Sequence, residues 1–86
     1  MSGSFQAVPM TVQIAVKLFA SLQRFTPADP DRFPIAAGLT VAELLERLAV
    51  PPQEVKLVFV NGVKQDLTTP LKGGDRVGIF PAVGGG

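Results

Sequence analysis

The sequence predicts a small α+β domain in which one helix packs on one face of a mixed sheet. Three observations carry this. Thr11 to Phe19 alternates with a period of two, the pattern of a half-buried strand. Thr40 to Leu48 places Val41, Leu44, Leu45 and Leu48 at i, i+3, i+4 and i+7, which is one face of a helix. Short apolar runs after that helix are punctuated by Asn-Gly and Gly-Gly turns and complete the sheet. One helix cannot cover both faces of a sheet, so the other face stays partly open to solvent.

Eighty-six residues suffice for one domain. Residues 1–9 (MSGSFQAVP) are small and polar and lack a period. They are set outside the fold as a flexible extension or an appended remnant, leaving 10–81 as the domain and 82–86 as a tail. In the first strand Val12, Ile14, Val16 and Leu18 fall on one side, with Thr11, Gln13, Ala15, Lys17 and Phe19 on the other. Ala20 to Asp31 carries Pro27, Asp29 and Pro30 and reads as ending in a loop. Arg32 to Ile35 (RFPI) predicts a short edge strand, because Pro34 cannot donate a ladder hydrogen bond.

Thr40 and Glu43 fit a capping box at the start of the helix, and Pro51-Pro52 stops it. Val55 to Val60 (VKLVFV) is a strand, and Asn61-Gly62 is a hairpin turn whose two positions both favour positive φ. Val63 to Gln65 returns from it. Leu67 and Leu71 are read as core anchors in an irregular link. Gly73-Gly74-Asp75 is a turn before a last strand, Arg76 to Phe80. The order strand, strand, helix, strand, short strand, strand is that of the ubiquitin-like β-grasp roll. By analogy with that roll, the first and last strands lie side by side at the sheet centre.

Absences narrow the chemistry. The chain has no Cys, His, Trp or Tyr. That excludes disulfides, thiol nucleophiles, histidine acid–base catalysis and Cys or His zinc sites. Asp29 and Asp31 in a Pro-rich loop make a poor metal site, and no metal is expected. The net charge is +1 and no basic stripe is present, so nucleic acid is not an expected partner. The apolar runs are too short to span a bilayer. No membrane partner is expected, and a cytoplasmic location is the expectation.

The distinctive feature is the ending, Phe80-Pro81-Ala82-Val83-Gly84-Gly85-Gly86. A glycine run has no side chains to pack and a high backbone entropy, so it is expected to leave the domain as a tail. Without Cβ atoms it can enter a narrow tunnel and present a terminal carboxylate to a partner. The alternative is an idle, frayed end.

This ending resembles that of the MoaD/ThiS sulfur carriers. Those proteins show a Gly-Asp turn (here Gly74-Asp75), an apolar strand closing in Phe-Pro (Phe80-Pro81) and a terminal Gly-Gly (Gly85-Gly86). Leu18-Phe19-Ala20, Thr40-Val41-Ala42-Glu43-Leu44-Leu45 and Val60-Asn61-Gly62 resemble the family too. The resemblance runs from about Met10 to Gly86. Gly84 and Ala82 depart from it, where Ala or Thr and a second Pro are commoner.

The resemblance implies a function. An E1-like enzyme using ATP and Mg²⁺ would adenylate the Gly86 carboxylate, and a sulfur donor would convert it to a thiocarboxylate. The chain itself would hold no permanent cofactor. The nearest kind is the small subunit of molybdopterin synthase, whose large subunit would receive the tail. Carriers for thiazole synthesis in the thiamin pathway or for tRNA thiolation use the same chemistry. So does a ubiquitin-like modifier joined through Gly86 to lysines. The resemblance assigns the tail, Gly84 and Gly85 included, to the reaction, and Phe19, Phe80, Pro81 and Val83 to partner contact. By alternation, Phe19 and Phe80 fall on the face away from the helix if Val12, Ile14, Val16, Val77 and Ile79 face it. The two rings then either form one exposed apolar patch beside the tail or tuck under loops as peripheral core. Phe59 shares a side with Leu57, and either that side or the side of Val58 and Val60 is buried.

Overall fold

The computed structural model describes residues 11–82. The N-terminal extension, Met10, and the tail residues Val83, Gly84, Gly85 and Gly86 lie outside the described residues. The elements are β1 (Thr11–Leu18), β2 (Phe33–Ala36), α1 (Val41–Leu48), β3 (Val55–Val60), β4 (Val63–Lys64) and β5 (Arg76–Pro81). The sheet order is β2-β1-β5-β3-β4. β1 and β5 run parallel, side by side, and the other pairs are antiparallel. This is the β-grasp arrangement predicted from the sequence, with β2 at the expected edge.

The inner face of the sheet and α1 form the core. Ile14, Val16, Leu18, Ile35, Val58, Val60, Val77 and Ile79 from the strands meet Val41, Leu44, Leu45 and Leu48 from the helix. Each fully buried side chain of this size contributes about 1.5–3 kcal/mol of transfer free energy. Val12 is only half-buried and packs at the core margin. Phe59 is resolved by this register: Val58 and Val60 point inward, so Phe59 points out.

The start of α1 has all three first-turn donors satisfied. Thr40 Oγ1 accepts the Glu43 N–H at 3.2 Å, and Glu43 Oε1 accepts the Thr40 N–H at 2.9 Å, forming the predicted capping box. The Val41 and Ala42 N–H groups donate to the carbonyls of Thr69 (3.0 Å) and Leu67 (2.8 Å). This corrects the reading of Leu67 as a core anchor. Its carbonyl is what the helix uses, and the side chain is 41% exposed. Leu71 is buried as predicted.

Other boundaries shift. Ala20–Phe25 is a 3-10 helix that buries Leu22 completely, an element the sequence does not announce ahead of the loop at Pro27 to Asp31. β2 runs one residue later than predicted, and β4 stops at Lys64. The helix ends ahead of Pro51. Ala49 adopts φ 64° and donates to the Glu46 carbonyl, and the Val50 N–H donates to Leu45 at 2.9 Å. That pair of bonds is a Schellman closure with alanine in the usual glycine position.

Candidate functional site

The face of the sheet opposite α1 carries a cluster of three phenylalanines beside the end of β5. Phe19 follows β1 directly. Its N–H donates to the Ile79 carbonyl at 3.1 Å, extending the β1–β5 ladder by one rung. Ala20, at φ 51°, then turns the chain into the 3-10 helix, whose Leu22 N–H donates back to the Phe19 carbonyl at 3.0 Å. The Phe19 ring is therefore held at the sheet end. It stacks on Phe80 with centroids 4.2 Å apart and an interplanar angle of 6°. Phe59 meets Phe80 edge-on at 5.6 Å and 77°. Such pairs contribute about 0.5–1.5 kcal/mol each beyond area burial. All three rings remain partly exposed. This places Phe19 in the patch with Phe80, the first of the two arrangements the sequence left open.

Gly78 lies beneath the cluster. It pairs with Lys17 on one side and Phe59 on the other. A Cβ built there meets Phe19 at 3.4 Å and Phe80 at 3.5 Å, so both rings sit close over the glycine. The result is a shallow apolar groove of about 510 Å³, floored by Ala15 and Gly78, walled by the three rings and reached by Lys17 and Arg76.

Pro81 closes β5, half-buried opposite Val55. Between Leu57 and Val55 the register slips, so Lys56 is an extra residue facing the Phe80–Pro81 step. A bulge of this kind re-aims the strand that carries it. Past Pro81, the Ala82 N–H donates to the Glu54 carbonyl at 3.0 Å. The Glu54 carboxylate in turn accepts from Arg24 at 3.1 Å. The last described residue is thus tied to the domain two residues after Phe80 and two before the glycine run begins at Gly84. Val83, Gly84, Gly85 and Gly86 lie beyond it, outside the described residues.

Phe59, Gly78, Lys17 and Arg76 complete this surface and were not assigned to it from the sequence. The alternation of β1 does place Lys17 outward, but only the β1–β5–β3 register brings it level with Phe59. Among the described residues no group of three or more Asp or Glu side chains is placed to hold a metal ion. Asp75 is buried but structural: its carboxylate accepts from Asn61 Nδ2 and from the Lys72 N–H, each at 2.9 Å. No helix among the described residues is long and apolar enough to cross a membrane.

A model of the ThiS family matches residues 16–86, most of the domain and the whole glycine ending. The chain belongs to the ThiS family. No curated protein matches the sequence significantly. Solved structures do. The Haloferax volcanii HVO 2177 protein aligns over 100% of this chain and 99% of its own, with a TM-score of 0.68 and 21% identity. Small archaeal modifier protein 1 of the same organism aligns over 84% and 99%, with a TM-score of 0.61 and 24% identity. At these identities the likeness shows the fold alone. A Pyrococcus furiosus chain bearing the name molybdopterin converting factor, subunit 1, is 27% identical over 84% and 99%, with a TM-score of 0.60. The ThiS-family chain is therefore a β-grasp protein.

Proposed function

We propose that this ThiS-family chain is a sulfur carrier for molybdopterin synthesis, working through the Gly86 carboxylate. In the first step that carboxylate attacks the α-phosphate of ATP in an E1-like enzyme, with Mg²⁺ on the phosphates. Pyrophosphate leaves and an acyl-adenylate forms. Sulfide released by a sulfur donor then attacks the acyl carbon, AMP leaves, and the terminus becomes a thiocarboxylate. The loaded tail enters the large subunit of molybdopterin synthase and gives up its sulfur there. The β-grasp body has no thiol that would compete for the activated terminus. Its part is to dock through Phe19, Phe59, Phe80 and Pro81 and to launch the tail from Ala82.

The observation that carries this reading is the family match running through residue 86, four residues past Ala82 and its bond to Glu54. The likeness to the Pyrococcus furiosus chain favours molybdopterin as the end product. A modifier joined to lysines would need the same activated Gly86, and the fold shared with small archaeal modifier protein 1 keeps that the second reading.

The test is ATP–pyrophosphate exchange by the purified E1-like enzyme of the same organism. Exchange is expected with the full chain and not after deletion of Gly86. Exchange that is indifferent to Gly86 contradicts the proposal. In cells lacking the gene, molybdopterin is expected to be lost and restored by the full chain alone. A thiamin requirement instead, or lysine-linked conjugates as the main product, shifts the assignment to those alternatives.

A further inference from the structure

The aromatic patch is bordered by positive charge. Lys17 Nζ lies 5.6 Å from the centre of the Phe19 ring. Arg76 sits one rung along, opposite Ala15, and reaches the same groove. Lys64 stands opposite Phe59 in the β3–β4 pair. All three cations are exposed. The one ion pair among the described residues is Arg24–Glu54, so none of the three is neutralised by a described carboxylate within salt-bridge distance. Asp31 is the one acid on the groove wall. In the linear sequence these cations are scattered. The sheet register gathers them around the rings.

We infer that this surface fits a protein partner presenting an apolar projection ringed by carboxylates. The inference rests on the docking role proposed above and adds the chemistry of the partner. A purely apolar cover would strip water from Lys17 and Arg76 without replacing it, which is costly for a charge. Carboxylates on the partner replace that water and steer the approach. Phosphates of a single-stranded nucleic acid are the other anions an aromatic, basic groove attracts. Here Phe19 and Phe80 already cover one face of each ring by stacking on one another. A +1 chain with an acid on the groove wall also lacks the charge for a phosphate track. The protein partner is therefore the better fit.

Stopped-flow association with the purified E1-like enzyme tests this. The wild-type rate constant is expected to fall as salt is raised. Lys17→Glu/Arg76→Glu is expected to lower it roughly tenfold or more at low salt, with the two rates converging at high salt. Arg47→Glu, on the helix side, is the charge control and is expected to keep the wild-type rate. A double variant that is folded by circular dichroism and associates like wild type overturns the inference. So does a wild type that associates independently of salt, or tight binding of a fluorescent oligo-dT by the same groove. ATP–pyrophosphate exchange run in parallel separates the two claims. Exchange without salt-dependent association removes this inference alone, and salt-dependent association without exchange removes the carrier reading alone.

Discussion

Asn61 Nδ2 donates to Asp75 Oδ1 at 2.9 Å, tying the β3–β4 turn to the start of β5. The pair is the centre of a small knot. Asn61 Oδ1 accepts the Arg76 N–H, and Asp75 Oδ2 accepts the Lys72 N–H, both at 2.9 Å. Asn61 also sits at φ 54° and Gly62 at φ 84°, the left-handed pair a tight hairpin needs. One asparagine therefore shapes the turn and fastens it to the strand that leads to the tail.

Asp75→Ala leaves the Asn61 amide and the Lys72 N–H without their acceptor in a site only 4% exposed. The expected loss is about 1–3 kcal/mol of unfolding free energy by chemical denaturation. Asn61→Gly keeps the positive φ but drops two side-chain bonds, and is expected to cost about 1–2 kcal/mol. Values within about 0.5 kcal/mol of wild type, as for a neutral surface change, would contradict this account of the knot.

Ala49 holds a left-handed conformation at the end of α1, where a Cβ is penalised. Ala49→Gly is expected to stabilise the fold by about 0.5–1 kcal/mol. Thermal melting checks this, and a lower midpoint would show that the Schellman closure depends on the alanine side chain.

Phe80 faces away from the core, stacked between Phe19 and the edge of Phe59. Phe80→Asp is expected to leave the circular dichroism spectrum unchanged while weakening binding to the adenylating enzyme. An aromatic anchor of this kind is worth about 2 kcal/mol or more, roughly thirtyfold in Kd. Unchanged affinity, or loss of the folded state, would remove Phe80 from the docking surface.

The fold was legible where local chemistry decides the outcome. The alternation of Val12 to Leu18, the capping box of Thr40 and Glu43, and Asn61-Gly62 each specify a structure within a few residues, and each is found. Pro34 marked β2 as an edge strand for the same reason. The misses are long-range. Leu67 looks like a core residue until the helix N-terminus claims its carbonyl. Leu22 is buried because Ala20 turns the chain back over the sheet. The burial of Asp75 depends on Asn61, fourteen positions away. Of the site, Phe19, Phe80 and Pro81 could be named from alternation and the family resemblance. Phe59, Gly78, Lys17 and Arg76 join them only through strand order and register.

The central claim is that Gly86 carries the reacting group, and intact-mass measurement reads it directly. The protein is co-expressed with the E1-like enzyme and sulfur donor of its own organism, then purified and weighed. The account predicts a species heavier by the exchange of one oxygen for sulfur, absent when Gly86 is deleted or the enzyme is withheld. A mass that stays at the plain carboxylate with both partners active, or a sulfur that survives deletion of Gly86, would contradict it.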